Sequence, residues 1–291
     1  MKSPSHVLHR LSVQLLLVAG ATCLLFQSAN ADPLLLSEGF SYTVGSNLGN
    51  DDSWGATTAN TGLSIGDTNL TYDSVVDLGG NALVLTSGLA SATSATNVFA
   101  ASPVTSGSIY YSFMIVCKRL PTGNTYFTAL NYNATPNGGT DTLDAYTGSQ
   151  GTGWKIGIRR DGSSTGILAA TNLVGGGTMQ LSLDTTYFIV MKYDFVDGLN
   201  NDIGTMYVNP TLGGSEPSSA NISTNAGTDA TSGLNVVGFK AQSNISQGDF
   251  IIDNLRVGTT WADVTPVPEP STLALVGFGV VGWVLARRMR R

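Results

Sequence analysis

Short runs of β-branched and aromatic residues recur along the middle of the chain, and no stretch there keeps a helical period. Within residues 154–159, large apolar side chains alternate with lysine, glycine and arginine, as in a strand that buries one face. Residues 187–191 are apolar at every position, which predicts a central strand covered on both sides or curved over the core. Strands are predicted at residues 110–117, 126–132, 154–159, 187–195, 206–209, 234–240 and 250–257.

Loops rich in Gly, Ser, Thr and Asn, such as residues 211–233, separate these runs. The pair Asp161-Gly162 predicts a tight hairpin turn that leads into residues 167–168. No linker composition interrupts the middle of the chain. The sequence therefore predicts an all-β fold, an antiparallel β-sandwich of the jelly-roll type, as one domain over residues 32–265.

Residues 1–31 have the three parts of a secretory signal peptide. Lys2 and Arg10 supply the positive charge, an apolar run follows, and Ala29 and Ala31 form a cleavage site of the small-x-small type. We expect cleavage after Ala31, and therefore export of the chain.

A lipoprotein signal centred on Cys23 is the alternative, but the large aliphatic residue that such a site needs three positions upstream is missing. Removal of the signal also removes Cys23 and both histidines, His6 and His9. The mature chain then contains one cysteine, Cys117, which excludes an intrachain disulfide and a Cys/His zinc site. Because Cys117 lies in an apolar run, we expect a buried thiol.

Acidic residues outnumber basic ones about two to one between residues 32 and 265. A body of this charge repels phosphate backbones, which argues against nucleic-acid binding. The low total charge and the many small polar residues are typical of turn-rich β structure on a cell surface.

The end of the chain has three parts: a proline-rich segment at residues 266–270, an apolar uncharged run at 271–286 and an arginine cluster at 287–291. The prolines predict an extended spacer. A helix over the apolar run would be about 24 Å long at ~1.5 Å per residue, close to a ~30 Å hydrocarbon core. We therefore predict a transmembrane helix with the arginines on the cytoplasmic side; a buried core helix is the alternative.

The tetrapeptide Val267-Pro268-Glu269-Pro270, followed by an apolar helix and terminal arginines, resembles the PEP-CTERM sorting signal of Gram-negative bacteria. The resemblance implies recognition by a membrane enzyme, exosortase, and transfer to the cell surface or to the polysaccharide matrix. A GPI signal also ends in an apolar tail, but it fits the terminal arginines poorly.

Three short motifs in the body resemble the concanavalin A-like and laminin-G-like jelly rolls. They are Glu-Gly-Phe-Ser-Tyr at residues 38–42, Tyr-Val-Asn-Pro at 207–210 and Ile-Asp-Asn-Leu-Arg-Val-Gly at 252–258. The resemblance implies that the first and last strands of the domain pair near each other.

Two motifs that could indicate catalysis lack the residues that the chemistry needs. Residues 162–166 match the G-x-S-x-G elbow, but Ser164 lies between two predicted strands and the mature chain has no histidine base. Jelly-roll glycan hydrolases use paired glutamates on one strand, whereas Glu38 and Glu216 are far apart in this chain. We therefore predict no catalytic residues.

Residues 194–202, between two predicted strands, are rich in side chains that carry oxygen atoms. Calcium prefers such ligands, so Asp197, Asn201 and Asp202 are the candidates for a Ca²⁺ site, completed by backbone carbonyls. An ordinary hairpin turn of Asp, Asn and Gly is the alternative. No other cofactor is predicted.

Tryptophans are a further class of candidate, because sugars stack on flat aromatic faces. The candidates are Trp54, Trp154 and Trp261, although large aromatic residues in a β-sandwich more often fill the core. Trp154 alternates with apolar residues and is predicted to be core, and Trp54, in Gly- and Asn-rich surroundings, is the better candidate for exposure. The sequence thus predicts an exported, non-enzymatic surface or matrix protein that adheres or binds glycans, with extracellular polysaccharide as a partner. A glycan hydrolase or lyase, and a purely structural coat component, are the alternatives.

Overall fold

A computed structural model describes residues 34–50, 53–56, 62–132, 141–160, 168–169 and 177–267. The strands are β1 Leu36–Glu38, β2 Gly55–Ala56, β3 Leu63–Gly66, β4 Ala82–Leu85, β5 Thr93–Val98, β6 Gly107–Arg119, β7 Thr125–Asn131, β8 Leu143–Gln150, β9 Gly153–Arg160, β10 Leu168–Ala169, β11 Tyr187–Phe195, β12 Ile203–Val208, β13 Ile222–Thr224, β14 Val236–Ala241 and β15 Asp249–Gly258. Helical turns are short: α1 Trp261–Val264 and two 3-10 turns, Leu48–Asn50 and Ile245–Gln247.

Within the described residues, the strands form two antiparallel sheets. The eight-stranded sheet has the order β13-β12-β11-β6-β15-β4-β3, and β1 pairs with β15 beside this path. The seven-stranded sheet has the order β10-β9-β8-β7-β14-β5-β2. The predicted all-β antiparallel sandwich is therefore confirmed.

The first and last strands of the sandwich are hydrogen-bonded neighbours. Leu36 of β1 lies opposite Val257 of β15, and Glu38 lies opposite Leu255. This pairing joins the two ends of the described chain in one sheet and confirms the expectation taken from the jelly-roll resemblance.

The core lies between the two sheets and follows the alternation seen in the sequence. Trp154, Ile156 and Ile158 of β9 are fully buried in it, as predicted. The Trp154 ring meets Phe250 of the opposite sheet at 5.4 Å between centroids, so aromatic side chains from both sheets interdigitate. Cys117 is a buried free thiol, and burial raises its pKa to about 12.

Strand β11 is buried on both faces, which confirms the prediction for residues 187–191. Ile189 and Met191 point into the core between the sheets. Phe188 and Val190 point to the other side, where a second apolar cluster covers the outer face of the eight-stranded sheet.

We call the structure over this outer face the tail-side layer. It consists of the β3–β4 loop (residues 67–81), the β12–β13 loop (209–221) and α1 (261–264). Trp261 and Val264 of α1 are buried in the cluster, with Trp261 edge-on to the Tyr207 ring at 5.1 Å.

Several predictions fall outside the described residues. They are the signal peptide 1–31 with Ala29 and Ala31, the turn 161–167 with Ser164, the motif residues Pro268, Glu269 and Pro270, the apolar run 271–286 and the arginine cluster 287–291. In the part of the chain that is described, no helix reaches the length and apolarity of a membrane span.

Candidate functional site

The outer face of the seven-stranded sheet carries tyrosines and cations on adjacent strands. Because Ile156 and Ile158 of β9 point into the core, their neighbours Lys155 and Arg159 point outward, and Lys240 of β14 does so by the same alternation. Tyr126 of β7 and Tyr146 of β8 lie directly opposite each other between these strands. We call the set Tyr126, Tyr146, Lys155, Arg159 and Lys240 the tyrosine–lysine face.

The two tyrosine rings are in contact and each has a cation beside it. Their centroids are 5.8 Å apart. The Lys240 ammonium donates to the Tyr126 hydroxyl at 2.6 Å and lies 5.0 Å from the ring centroid, so it sits beyond the hydroxyl end of the ring. The Arg159 guanidinium lies 5.1 Å from the Tyr146 centroid. Lys240 therefore leaves the faces of the Tyr126 ring to other contacts.

Arg159 is bound to a buried carboxyl group. Its guanidinium donates to Asp144 Oδ2 at 3.2 Å, and Asp144 is fully buried. Burial raises the pKa of Asp144 well above its usual range, and a hydrogen bond to Asp141 raises it further. Asp141 itself accepts from Asn131 Nδ2 at 2.7 Å.

Two lysines of this face are not ion-paired. Among the described residues, Lys155 and Lys240 form no salt bridge. Elsewhere among the described residues, salt bridges pair the cations Lys118, Arg119, Lys192 and the buried Arg160 with carboxylates. The tyrosine–lysine face is thus a local positive surface on a chain with a net charge of −6.

The sequence analysis did not identify this face. The alternation within residues 154–159 already places Lys155 and Arg159 on one side. However, β8 was not predicted, and the order of strands that brings Tyr146 beside Tyr126 depends on long-range pairing.

Trp54, the candidate for an exposed ring, is instead packed in the core. Trp54 is only 2% exposed, because its ring packs against Phe239 and Phe40 in the core, and its Nε1 donates to Glu38 Oε2 at 3.1 Å. Trp154 is fully buried as predicted, and Trp261 is buried in the tail-side layer. None of the tryptophans in the described chain has an exposed ring, whereas Tyr126 on the tyrosine–lysine face is half-buried.

The structure gives the predicted calcium ligands different surroundings. Asp202 is buried, and its carboxylate accepts from the Tyr193 hydroxyl at 2.6 Å and from the Val196 N–H at 2.7 Å. Asn201 Nδ2 donates to the carbonyl of Asp197, whose side chain is exposed. Calcium at Asp197, Asn201 and Asp202 stays a prediction, and within the described chain no three acidic, His or Cys side chains converge as a metal site.

A pocket of about 220 Å³ lies beside this turn, lined by residues of the 105–106, 195–202 and 229–231 segments. Its wall is held by Asp229, which accepts from the N–H groups of Asn201 and Asp202 and from the buried Arg160 at 3.2 Å. Burial alone would raise the pKa of Asp229, but these hydrogen bonds outweigh burial and the pKa is lowered. The aspartate–arginine network therefore fixes one wall of the pocket.

The two glutamates of the body are separate and each has a structural partner set. Glu38 accepts from Phe40 N–H and from the Tyr42 hydroxyl, both at 2.6 Å. Glu216 accepts from the Tyr110 hydroxyl at 2.7 Å and from Lys192 at 3.1 Å. Burial opposes ionisation of Glu216, but hydrogen bonds outweigh it and the pKa is lowered. The glutamates do not form a pair across a cleft.

Comparison with known proteins finds one sorting motif and several distantly similar structures. Residues 266–291 match the PEP-CTERM protein-sorting motif. No curated protein matches the chain. The solved structures that resemble it include the alginate lyase Aly36B, at 9% identity and a TM-score of 0.46 over 77% of this chain and 96% of that one. A second is the carbohydrate recognition domain of Emp46p, at 12% identity and 0.44 over 78% and 98%.

A sialidase of Trypanosoma rangeli is a third, at 12% identity and a TM-score of 0.39 over 71% of this chain and 30% of the sialidase. The sorting motif indicates an exported protein that is sorted to the cell envelope of a Gram-negative bacterium and processed by an exosortase.

Proposed function

We propose that this exported surface protein binds an acidic polysaccharide through the tyrosine–lysine face and has no enzymatic activity of its own. The observation that carries the proposal is the outer face on which Lys240 contacts Tyr126 and on which Lys155 and Lys240 form no salt bridge among the described residues, on an otherwise acidic chain. Ammonium groups bind the carboxylates or sulfates of such a polymer, and the flat tyrosine ring packs against the apolar face of a sugar.

The absence of catalysis is supported by the surroundings of the carboxyl groups. Asp144, beside the face, is fully buried and bound to Arg159, and Glu38 and Glu216 accept hydrogen bonds in separate networks. A glycosidase needs two accessible carboxyl groups roughly 5 to 10 Å apart across the scissile bond. Such an arrangement is missing from the described face.

Binding of acidic and neutral polysaccharides to the purified mature chain tests the proposal. We expect the protein to bind alginate or another polyuronate and not to bind a neutral glucan. Binding of the acidic polymer should weaken as the salt concentration rises. Lys240→Met removes the ammonium and keeps the apolar stem, so it is expected to weaken binding roughly tenfold, the effect of about 1.4 kcal/mol.

Lys118→Met is the matched control, because Lys118 lies on the other sheet in an exposed salt bridge. Equal loss in the two variants, or equal retention of neutral and acidic polymers, would show that the face is not the binding site.

A lyase is the second candidate, and one contact favours it. The Lys240 ammonium on the Tyr126 hydroxyl at 2.6 Å could serve proton transfer in an elimination from a uronate. An unsaturated product, detected by ultraviolet absorbance, would replace the binding-only proposal if Tyr126→Phe abolished it.

A further inference from the structure

The sorting tail leaves the folded body from the tail-side layer. Helix α1 begins directly after β15 and is fixed at its start by a capping box, in which the Thr260 side chain accepts from Asp263 N–H and the Asp263 carboxylate accepts from Thr260 N–H. Trp261 and Val264 then anchor the helix in the apolar cluster. The direction of the chain is therefore set before the tail starts.

The residues after α1 are also held. The Ser112 hydroxyl of β6 donates to the Val264 carbonyl at 2.7 Å, and the Thr265 hydroxyl donates to the Trp261 carbonyl at 2.8 Å. Val76 N–H, in the β3–β4 loop, donates to the Pro266 carbonyl at 2.9 Å. The first residue matched to the sorting motif is thus hydrogen-bonded to the body.

Val267 continues along the same layer. A side chain placed on Gly213 would lie 3.6 Å from Val267 Cγ2, so this residue passes beside the β12–β13 loop. The apolar run predicted to span the membrane starts at Ser271. Five residues from Pro266 reach at most about 18 Å even when fully extended.

That reach is short compared with the diameter of the folded body. A domain of this size has a radius of gyration of roughly 17 Å, and hence a diameter of roughly 40 Å. A connection of about 18 Å therefore holds the attached side against the membrane and does not allow the opposite side to turn toward it.

We infer that, before processing, the tail-side layer faces the membrane and the tyrosine–lysine face points away from it, toward extracellular polymer. The inference rests on the membrane span predicted at residues 271–286 and is independent of glycan binding. The layer exposes Asp73 and Asp77, which do not attract anionic lipids. The short connection sets the orientation, and salt is not expected to change it.

Fluorescence energy transfer to acceptor lipids tests the orientation. The chain from residue 32 onward is reconstituted in vesicles with a single donor dye, either at Ser74→Cys in the tail-side layer or at Val98→Cys on the outer side of β5. Both positions are exposed, and the buried Cys117 thiol stays unlabelled. The sheets alone separate the two dyes by about 10 Å, so transfer from position 74 is expected to be at least about twofold higher.

A variant with ten Gly/Ser residues inserted between Pro266 and Val267 is the control. Such a linker adds roughly 18 Å of flexible reach, so the difference between the two positions should disappear. Equal transfer in the parent chain, higher transfer from position 98, or failure of the chain to float with the vesicles would overturn the inference. A loss of polysaccharide binding alone would leave it standing.

Discussion

At the scale of single residues, buried charged groups connect segments that are distant in sequence. The Arg160 guanidinium, fully buried, donates to the carbonyls of Asn225 at 2.9 Å and Thr228 at 2.8 Å, and also to the carbonyl of Asp202. Such contacts depend on tertiary pairing, so the sequence marks Asp202 only as an oxygen donor in a turn. Its partners Tyr193 and Arg160 lie on β11 and β9, and no local sequence pattern identifies them.

A second buried group makes stability depend on pH. Burial raises the pKa of Asp253 to about 7, although the N–H groups of Leu70 and Asn254 stabilise its charged form. Between about pH 4 and 7 the folded chain keeps a proton that the unfolded chain releases. The stability contributed by this group is therefore present at pH 4 and is lost as the pH rises toward 7.

We expect Asp253→Asn to reduce the fall in the free energy of unfolding between pH 4 and pH 7, measured by urea denaturation at both values. The readout is the change of the free energy of unfolding with pH and not its absolute value, because the amide also alters the hydrogen bonds at this position. Asp73→Asn is the control, because Asp73 is an exposed residue of the β3–β4 loop, which also contains Leu70. A slope identical to that of the parent chain would contradict the assignment.

At the scale of elements, strands with strong apolar patterns were predicted and weakly patterned strands were not. The run at residues 187–195 coincides with β11, and the runs at 110–117 and 250–257 lie inside β6 and β15. By contrast, β8 reads Leu-Asp-Ala-Tyr-Thr-Gly-Ser-Gln, which has no sustained alternation. It is a strand because β7 and β9 pair with it on both sides.

The start of β9 provides a test of element packing. Trp154 and Leu181 exchange two backbone hydrogen bonds, which bring the segment before β11 against β9. A Cβ atom at Gly153 would overlap the Leu181 carbonyl oxygen. We expect Gly153→Ala to lower the free energy of unfolding by about 1–3 kcal/mol, measured by urea denaturation.

Gly177→Ala is the matched control for this substitution, since no atom of the described residues lies within 4 Å of a Cβ atom there. A Gly153→Ala variant as stable as the Gly177→Ala variant would show that the two segments are not in close contact.

At the scale of the whole molecule, the sandwich has two unlike outer faces. The eight-stranded sheet is covered by the tail-side layer and carries the tail, whereas the seven-stranded sheet presents Tyr126, Lys155 and Lys240. The sequence predicts the sandwich and the sorting motif, because both depend on local patterns. It does not predict the tyrosine–lysine face, because that face arises from the order of four strands in the sheet.

Lysine acetylation with and without an acidic polysaccharide tests the central claim most directly. The body has four lysines, Lys118, Lys155, Lys192 and Lys240, and mass spectrometry reports the modification of each in one sample. Our account predicts that bound polyuronate protects Lys155 and Lys240 while Lys118 reacts as fast as in the free protein. Equal protection of all four lysines, or protection of Lys118 alone, would contradict it.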